Sequence, residues 1–355
     1  MNTSTSKAIA LLVGLATRTD VRAPSAAART DGPCYVALLH GSGPDLHDQD
    51  GSSPAMEHYW NPSGDPARSL AAQARSPKSL EGRCVVGRIG YDGSAQWWHV
   101  RAAGRVARSL HDFIDAHRIA DGGLILIGHS MGGLVARYIV DNGAGEAPYY
   151  NEYGGVDARM DYDLIRRKTA VIITVDTPHT GTEAADALQG ASDHVLANGG
   201  VALLLALGMV RDSPANSSLT RAYLEAAGAP AGEMADGGRV VPIYTVAGIS
   251  PRPRVDTLPT RADRRLDLAW SMLCRQRGAI NLWGVACRWD FWNDPFVPGD
   301  GIVTRSSAHG LWTRGRPGGR PSIGGAHGQW LDLPENHSQG RYTAQSLFLK
   351  NLPDR

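Results

Sequence analysis

Apolar residues recur along the chain with two periods, and the alternation between them lays out the elements. Short apolar runs of strand length occur at Cys34–Leu39 (CYVALL), Cys84–Ile89, Leu124–Ile127, Thr169–Val175, Arg239–Ile249 and Gln329–Leu333. The unbroken ones, Cys34–Leu39 and Leu124–Ile127, suit strands buried on both faces. Between them, Trp97–His117 repeats Val100, Ala103, Val106, Leu110, Phe113 and Ile114 at helical spacing, and Leu134–Val140 and Gly340–Leu352 read as further helices. Strands alternating with helices predict right-handed crossovers and a mostly parallel sheet, with the ligand site at the carboxyl ends of its strands.

Several stretches break that rhythm. Gly43–Leu80 is rich in Gly, Pro, Ser and Asp without clear period, and is too long for a plain connection. Gly143–Asp163 is polar and tyrosine-rich and reads as a loop. Residues 183–238 carry helical patterning near Ala184–Leu188 and Leu219–Ala227, with the apolar run Val201–Val210 between them. Residues 250–298 hold Trp270, Trp283, Trp289 and Trp292 together with Cys274 and Cys287. These tryptophans suit either an aromatic wall or a small stapled core.

One junction carries chemistry. Gly128-His129-Ser130-Met131-Gly132 fits G-x-S-x-G between a strand and a helix, where small flanking residues allow a sharp turn that pushes the serine hydroxyl out at a helix N-terminus. Gly133 adds room for that helix to pack on neighbouring strands.

The stretch GHSMGGLVARY resembles the nucleophile elbow of α/β-hydrolase lipases and esterases. That resemblance implies the α/β-hydrolase fold, a mostly parallel central sheet flanked by helices with helical cap or lid insertions, in a catalytic domain of residues 29–355. Insertions fall at about 183–238 and 250–298. The resemblance extends to His40-Gly41 after the first strand, which implies an oxyanion hole made by the N–H groups of Ser42 and Met131. It extends to Thr177-Pro178-His179-Thr180-Gly181, and to Asp300-Gly301-Ile302-Val303 followed by Ser306-Ser307. By the family's order of serine, acid and histidine, Ser130 is the expected nucleophile, Asp300 the acid and His337 the base. Asp176 and Asp294 are rival acids and His327 a rival base. His179 precedes the acid and His309 lies too close to it, so neither is assigned. Tyr59, Trp60 and His129 are candidate substrate-binding residues, Tyr59 and Trp60 serving equally well to pin their loop to the body. The 183–238 insertion reads equally as a mobile lid or a fixed cap.

Composition adds limits. The 355 residues include 36 basic and 35 acidic side chains, a net charge of +1, which points to neither nucleic acid nor an anionic membrane as partner. Lys7, the apolar stretch Ala8–Ala16 and the small residues Ser25–Ala28 read as an export signal over residues 1–28, and hence a secreted or periplasmic protein, a cytoplasmic one being the alternative. Four cysteines suit two disulfides in an exported chain. In the related hydrolases the first two strands are neighbours, which favours Cys34–Cys84, with Cys274–Cys287 closing a short loop, out of three pairings open to four cysteines; four reduced thiols in a cytoplasmic chain are the alternative. No His or Cys spacing marks a metal site, His47 and His58 included, and no cofactor is expected; a structural calcium finds no matching ligands. The expected activity is hydrolysis of small-molecule or lipid carboxylic esters through an acyl-enzyme. Polyester depolymerisation or acyl transfer is the alternative on the same fold, and a non-catalytic binding protein the alternative outside enzymes.

Overall fold

The computed structural model describes residues 35–43, 51–60, 84–141, 162–190, 209, 213–227, 241–248, 300, 302–310, 327–333 and 337, all within the unit Gly32–Leu352. Six strands, β1 (Tyr35–Leu39), β2 (Val85–Ile89), β3 (Leu124–His129), β4 (Thr169–Val175), β5 (Ile243–Gly248) and β6 (His327–Leu333), form one sheet in the order β2-β1-β3-β4-β5-β6. Every pairing is parallel. The chain runs from β1 outward to β2 and returns to β3 on the other side of β1. This reversal opens a crevice at the carboxyl ends of β1 and β3.

Alternation along the central strands sorts their side chains onto two faces. Ala37, Leu39, Leu124, Leu126 and Ile172 join the core cluster that includes Val106, Leu110 and Ile114 of α2 (Arg105–His117) and Leu134, Val135 and Ile139 of α3 (Met131–Asp141). Val36, Leu38, Ile125, Ile127, Val171 and Ile173 face the opposite cluster, where Met56 and Trp60 of α1 (Pro54–Trp60) pack. The remaining helices are α4 (Tyr162–Lys168), α5 (Glu183–Gly190), α6 (Pro214–Ser218), α7 (Arg221–Ala227) and the single turn α8 (Arg305–Ala308). Among the described residues, no helix is long and apolar enough to cross a membrane.

Boundaries differ from the sequence reading in ways that have local causes. The helix expected over Trp97–His117 starts late: Val100–Gly104 forms a wider π turn, with the His99 ring accepting from Arg101 N–H, before α2 begins. β3 continues through Gly128 and His129, because these residues still pair with Thr174 and Val175 of β4. β6 starts at His327, so that histidine lies in the strand instead of before it. α1 lies within a stretch that reads as irregular, and α4 starts at the end of the Gly143–Asp163 loop and runs through residues 164–168, to which the sequence pattern assigns no element.

The expected export segment, the final helix Gly340–Leu352, the greater part of the 183–238 insertion and the whole of 250–298, with the rival acid Asp294, lie outside the described residues. Cys84 is disulfide-bonded. Cys34, Cys274 and Cys287 lie outside the described residues, and with them the expected pairings.

Candidate active site

Ser130 sits in the turn between β3 and α3 with φ at 53°, a left-handed conformation costly for a residue with a side chain. The turn is held from both sides: Ser130 N–H donates to Val175 O (2.9 Å), and Ser130 O accepts from Gly133 N–H (3.1 Å). The flanking glycines are sterically required. A Cβ on Gly128 would lie 2.5 Å from Gly133 Cα, and one on Gly132 would collide with the carbonyl oxygens of Leu39 and His40. The end of β1 therefore lies directly against the start of α3. On the same side, a Cβ built on Gly41 would lie 2.8 Å from Ser130 Cβ and 3.3 Å from Ser130 Oγ. Ser42 follows, half-buried, and Met131 is buried at the first position of α3, where helix N–H groups have no intrahelical acceptor.

Asp300 is fully buried, and its carboxylate is oriented by three hydrogen bonds. Oδ1 accepts from Ile302 N–H (2.8 Å) and Val303 N–H (2.7 Å). Oδ2 accepts from His337 Nδ1 (2.7 Å). The His337 backbone N–H donates to Asp300 O (3.1 Å), so the two residues are joined through both side chain and main chain. With Nδ1 protonated for that contact, neutral His337 carries its lone pair on Nε2. An imidazole held in this way can take a proton from a nearby hydroxyl.

Three further hydrogen bonds tie His337 to the serine turn and to β1. The His337 carbonyl can only accept, so His129 Nε2 donates to it (2.8 Å). His129 Nδ1 must then accept, and it does so from the Tyr59 hydroxyl (2.6 Å). Tyr59 Oη in turn accepts from Gly41 N–H (2.7 Å). The carbonyl acceptor fixes the His129 tautomer. Tyr59 thus faces the site, whereas Trp60 is fully buried in the core beside Met56, the pinning role of the two left open.

Asp176, the rival acid, directly follows β4 in a left-handed conformation (φ 51°), buried, with Oδ1 accepting from Gly248 N–H (2.6 Å). One ligand atom each from His129, Asp176 and His337 lie within 4.8 Å of one another, a grouping invisible in the spacing of the sequence. The unassigned histidines are engaged elsewhere. His179 accepts from Arg137 Nη1 (2.7 Å) through Nδ1 and donates through Nε2 to Thr174 Oγ1 (3.0 Å), fully buried. His309 bridges Thr245 Oγ1 (2.8 Å) and Asp332 Oδ1 (2.8 Å), and Arg305 Nε reaches both Asp332 oxygens at 2.9 Å. Burial would raise the Asp332 carboxyl, but the His309 and Arg305 contacts overcome it and hold it at about 2. This cluster anchors the segment after Asp300 to β5 and β6.

His40 lies under the site, stacked on Tyr91 with ring centroids 3.9 Å apart. Its Nδ1 donates to Gly41 O (2.7 Å) and its Nε2 accepts from Tyr91 N–H (3.2 Å), while Tyr91 Oη donates to His40 O. Burial lowers the His40 imidazole to about 4, outweighing the hydrogen bonds that favour its cation. It is a neutral brace for the end of β1. The resemblance marked His40 as part of the His-Gly pair, but nothing local in the sequence marked its partner Tyr91, or the link from Tyr59 to His129 across 70 residues.

No protein-family model matches the chain, and no curated protein matches it. Similarity emerges from solved structures. Lipase 1 from Pelosinus fermentans superposes with a TM-score of 0.51 at 14% identity, covering 91% of this chain and 100% of that one. The chain has the α/β-hydrolase fold. EstA from Clostridium botulinum (TM-score 0.48, 14% identity, 92% and 90% of the two chains) and Staphylococcus hyicus lipase (0.46, 14%, 92% and 95%) are also similar. In α/β-hydrolase terms, Ser130 stands at the elbow after a central strand, Asp300 follows β5, and His337 follows β6.

Proposed function

We propose that the protein is a serine carboxylic-ester hydrolase of esterase or lipase type. The observation that carries this reading is the pair of buried Asp300 and part-buried His337 tied, through His129, to the strained turn that holds Ser130. In the proposed reaction His337 Nε2 takes the proton from Ser130 Oγ as Oγ attacks the ester carbonyl. Asp300 holds the other nitrogen and stabilises the imidazolium. The N–H groups of Ser42 and Met131 take the developing oxyanion. His337 then protonates the leaving alcohol, and water activated by the same imidazole releases the acid and frees Ser130. Each step uses the chain's own groups, and the substrate is a small-molecule or lipid ester.

The test is hydrolysis of p-nitrophenyl butyrate by the wild type and by folded Ser130→Ala, His337→Ala, Asp300→Ala and Asp176→Asn. The first two are expected to lose about 10⁴-fold or more in kcat, and Asp300→Ala at least about 10³-fold. Asp176→Asn is expected to lose far less. Wild-type activity in folded Ser130→Ala would overturn the proposal, and a larger loss from Asp176→Asn than from Asp300→Ala would move the acid to β4. Water outcompeting added alcohols as acyl acceptor separates hydrolysis from acyl transfer.

A further inference from the structure

The proposed base stands in a second constellation that hydrolysis does not use. His129, Asp176 and His337 come from the ends of β3 and β4 and from the segment after β6, and each offers a ligand atom within 4.8 Å of the other two. Two imidazoles and one carboxylate make a nitrogen-rich donor set, which suits zinc and neighbouring late transition metals and not calcium or magnesium. We propose that these three residues form a reversible inhibitory site for Zn²⁺, resting on the assignment of His337 as base.

The outer partners already resemble those of metal ligands. A ligating histidine characteristically donates its remaining ring N–H to a carboxylate, which fixes the tautomer and raises ligand basicity. His337 does this through Nδ1 to Asp300 Oδ2 at 2.7 Å, leaving Nε2 as the ligand atom. Asp176 is oriented by Gly248 N–H on Oδ1 at 2.6 Å and kept in place by its buried, left-handed backbone. His129 contributes Nε2 once its hydrogen bond to the His337 carbonyl opens. Its Nδ1 then carries the proton and donates to Tyr59 Oη, which remains the outer partner. Tetrahedral zinc places its ligands about 3.3 Å apart, from Zn–N bonds of about 2.0 Å. Ligand atoms that lie within 4.8 Å of one another have to close by no more than about 1.5 Å to reach that spacing, and water takes the fourth position. Metal on His337 Nε2 occupies the lone pair that would receive the Ser130 proton, so binding and catalysis exclude one another. No bond to substrate is made or broken by the metal, and a chelator restores activity.

The test has two arms, one of them independent of activity. In the first, metal-free protein is titrated with Co²⁺ and the visible d–d absorption of low-coordinate Co²⁺ is recorded for wild type, Ser130→Ala, Asp176→Asn and His129→Gln, each checked for folding by circular dichroism. Wild type and Ser130→Ala are expected to give the band with similar affinity, and the two ligand variants to bind at least about tenfold more weakly. In the second, Zn²⁺ is titrated into the ester assay. Inhibition reversed by EDTA is expected in wild type, with its constant raised at least about tenfold in Asp176→Asn relative to that variant's own zinc-free rate. Absence of the Co²⁺ band in wild type, or equal binding in both ligand variants, overturns the site. Loss of all ester hydrolysis with the Co²⁺ pattern intact would instead overturn the hydrolase reading and leave the metal site standing.

Discussion

Tyr59 shows how much a single hydroxyl can carry. Its oxygen takes the Gly41 N–H and its proton goes to His129, whose other nitrogen holds the His337 carbonyl. One side chain thereby sets the spacing between the end of β1, where Ser42 contributes to the proposed oxyanion hole, and the residue proposed as base. Tyr59→Phe keeps the ring contacts with His40 and His129 but removes the oxygen that accepts from Gly41 N–H and the proton given to His129 Nδ1. Each lost hydrogen bond is worth about 0.5–1.5 kcal/mol. The expected outcome is a folded protein whose kcat falls about 10-fold to 100-fold with little change in KM, measured with a soluble p-nitrophenyl ester. A rise in KM at constant kcat would instead make Tyr59 a substrate contact.

At the level of elements, the decisive contact is the near-touch of β1 and α3. Gly132 has no space for a Cβ because the carbonyl oxygens of Leu39 and His40 occupy it. Gly132→Ala must push backbone against backbone, and the expected loss of stability is about 3 kcal/mol, the upper end for overpacking, read from the urea midpoint. Some of this was legible in the residues. The run Thr169–Val175 marks β4 to its last residue because its apolar character stops where pairing stops, at the polar Asp176. α3 carries little amphipathic signal because Met131 through Val140 are all buried, so only Leu134–Val140 read as helix. α4 has seven residues and is reached through a tyrosine-rich stretch, too short for a period to stand out. Asp300 and His337 were nameable only through the family's order of motifs, since no local pattern joins residues 37 apart. The grouping of Asp176 with His129 depends on β3 lying beside β4, a fact of pairing that no spacing encodes.

Across the whole molecule, the buried His40 couples stability to pH. In the folded protein its imidazole is held at about 4, below the ordinary 6.5, chiefly by burial. Between these values the unfolded chain binds a proton that the folded chain refuses, so stability rises with pH through that window. It is fully present above 6.5 and lost as pH falls towards 4. The shift corresponds to roughly 3 kcal/mol. Urea unfolding is expected to show a lower midpoint at pH 4.5 than at pH 7, with much of that difference removed in His40→Asn; an equal pH dependence in the variant would assign the effect to other groups.

The strand order also sets a timetable. β1 lies between β2 and β3, so the first of the described strands waits for both neighbours, and the later of them ends about 90 residues on. At roughly 5–20 residues per second, that is a wait of about 5–18 s with the edge that faces β3 unpaired. The serine turn closes later still, because Ser130 N–H needs the Val175 carbonyl of β4. His337 is 208 residues beyond His129. On the proposed chemistry a growing chain therefore exposes a formed serine turn long before it owns a base. Ester hydrolysis on a stalled ribosome would begin only after β6 has joined the sheet, and enzymatic activity becomes a clock for the last step of assembly.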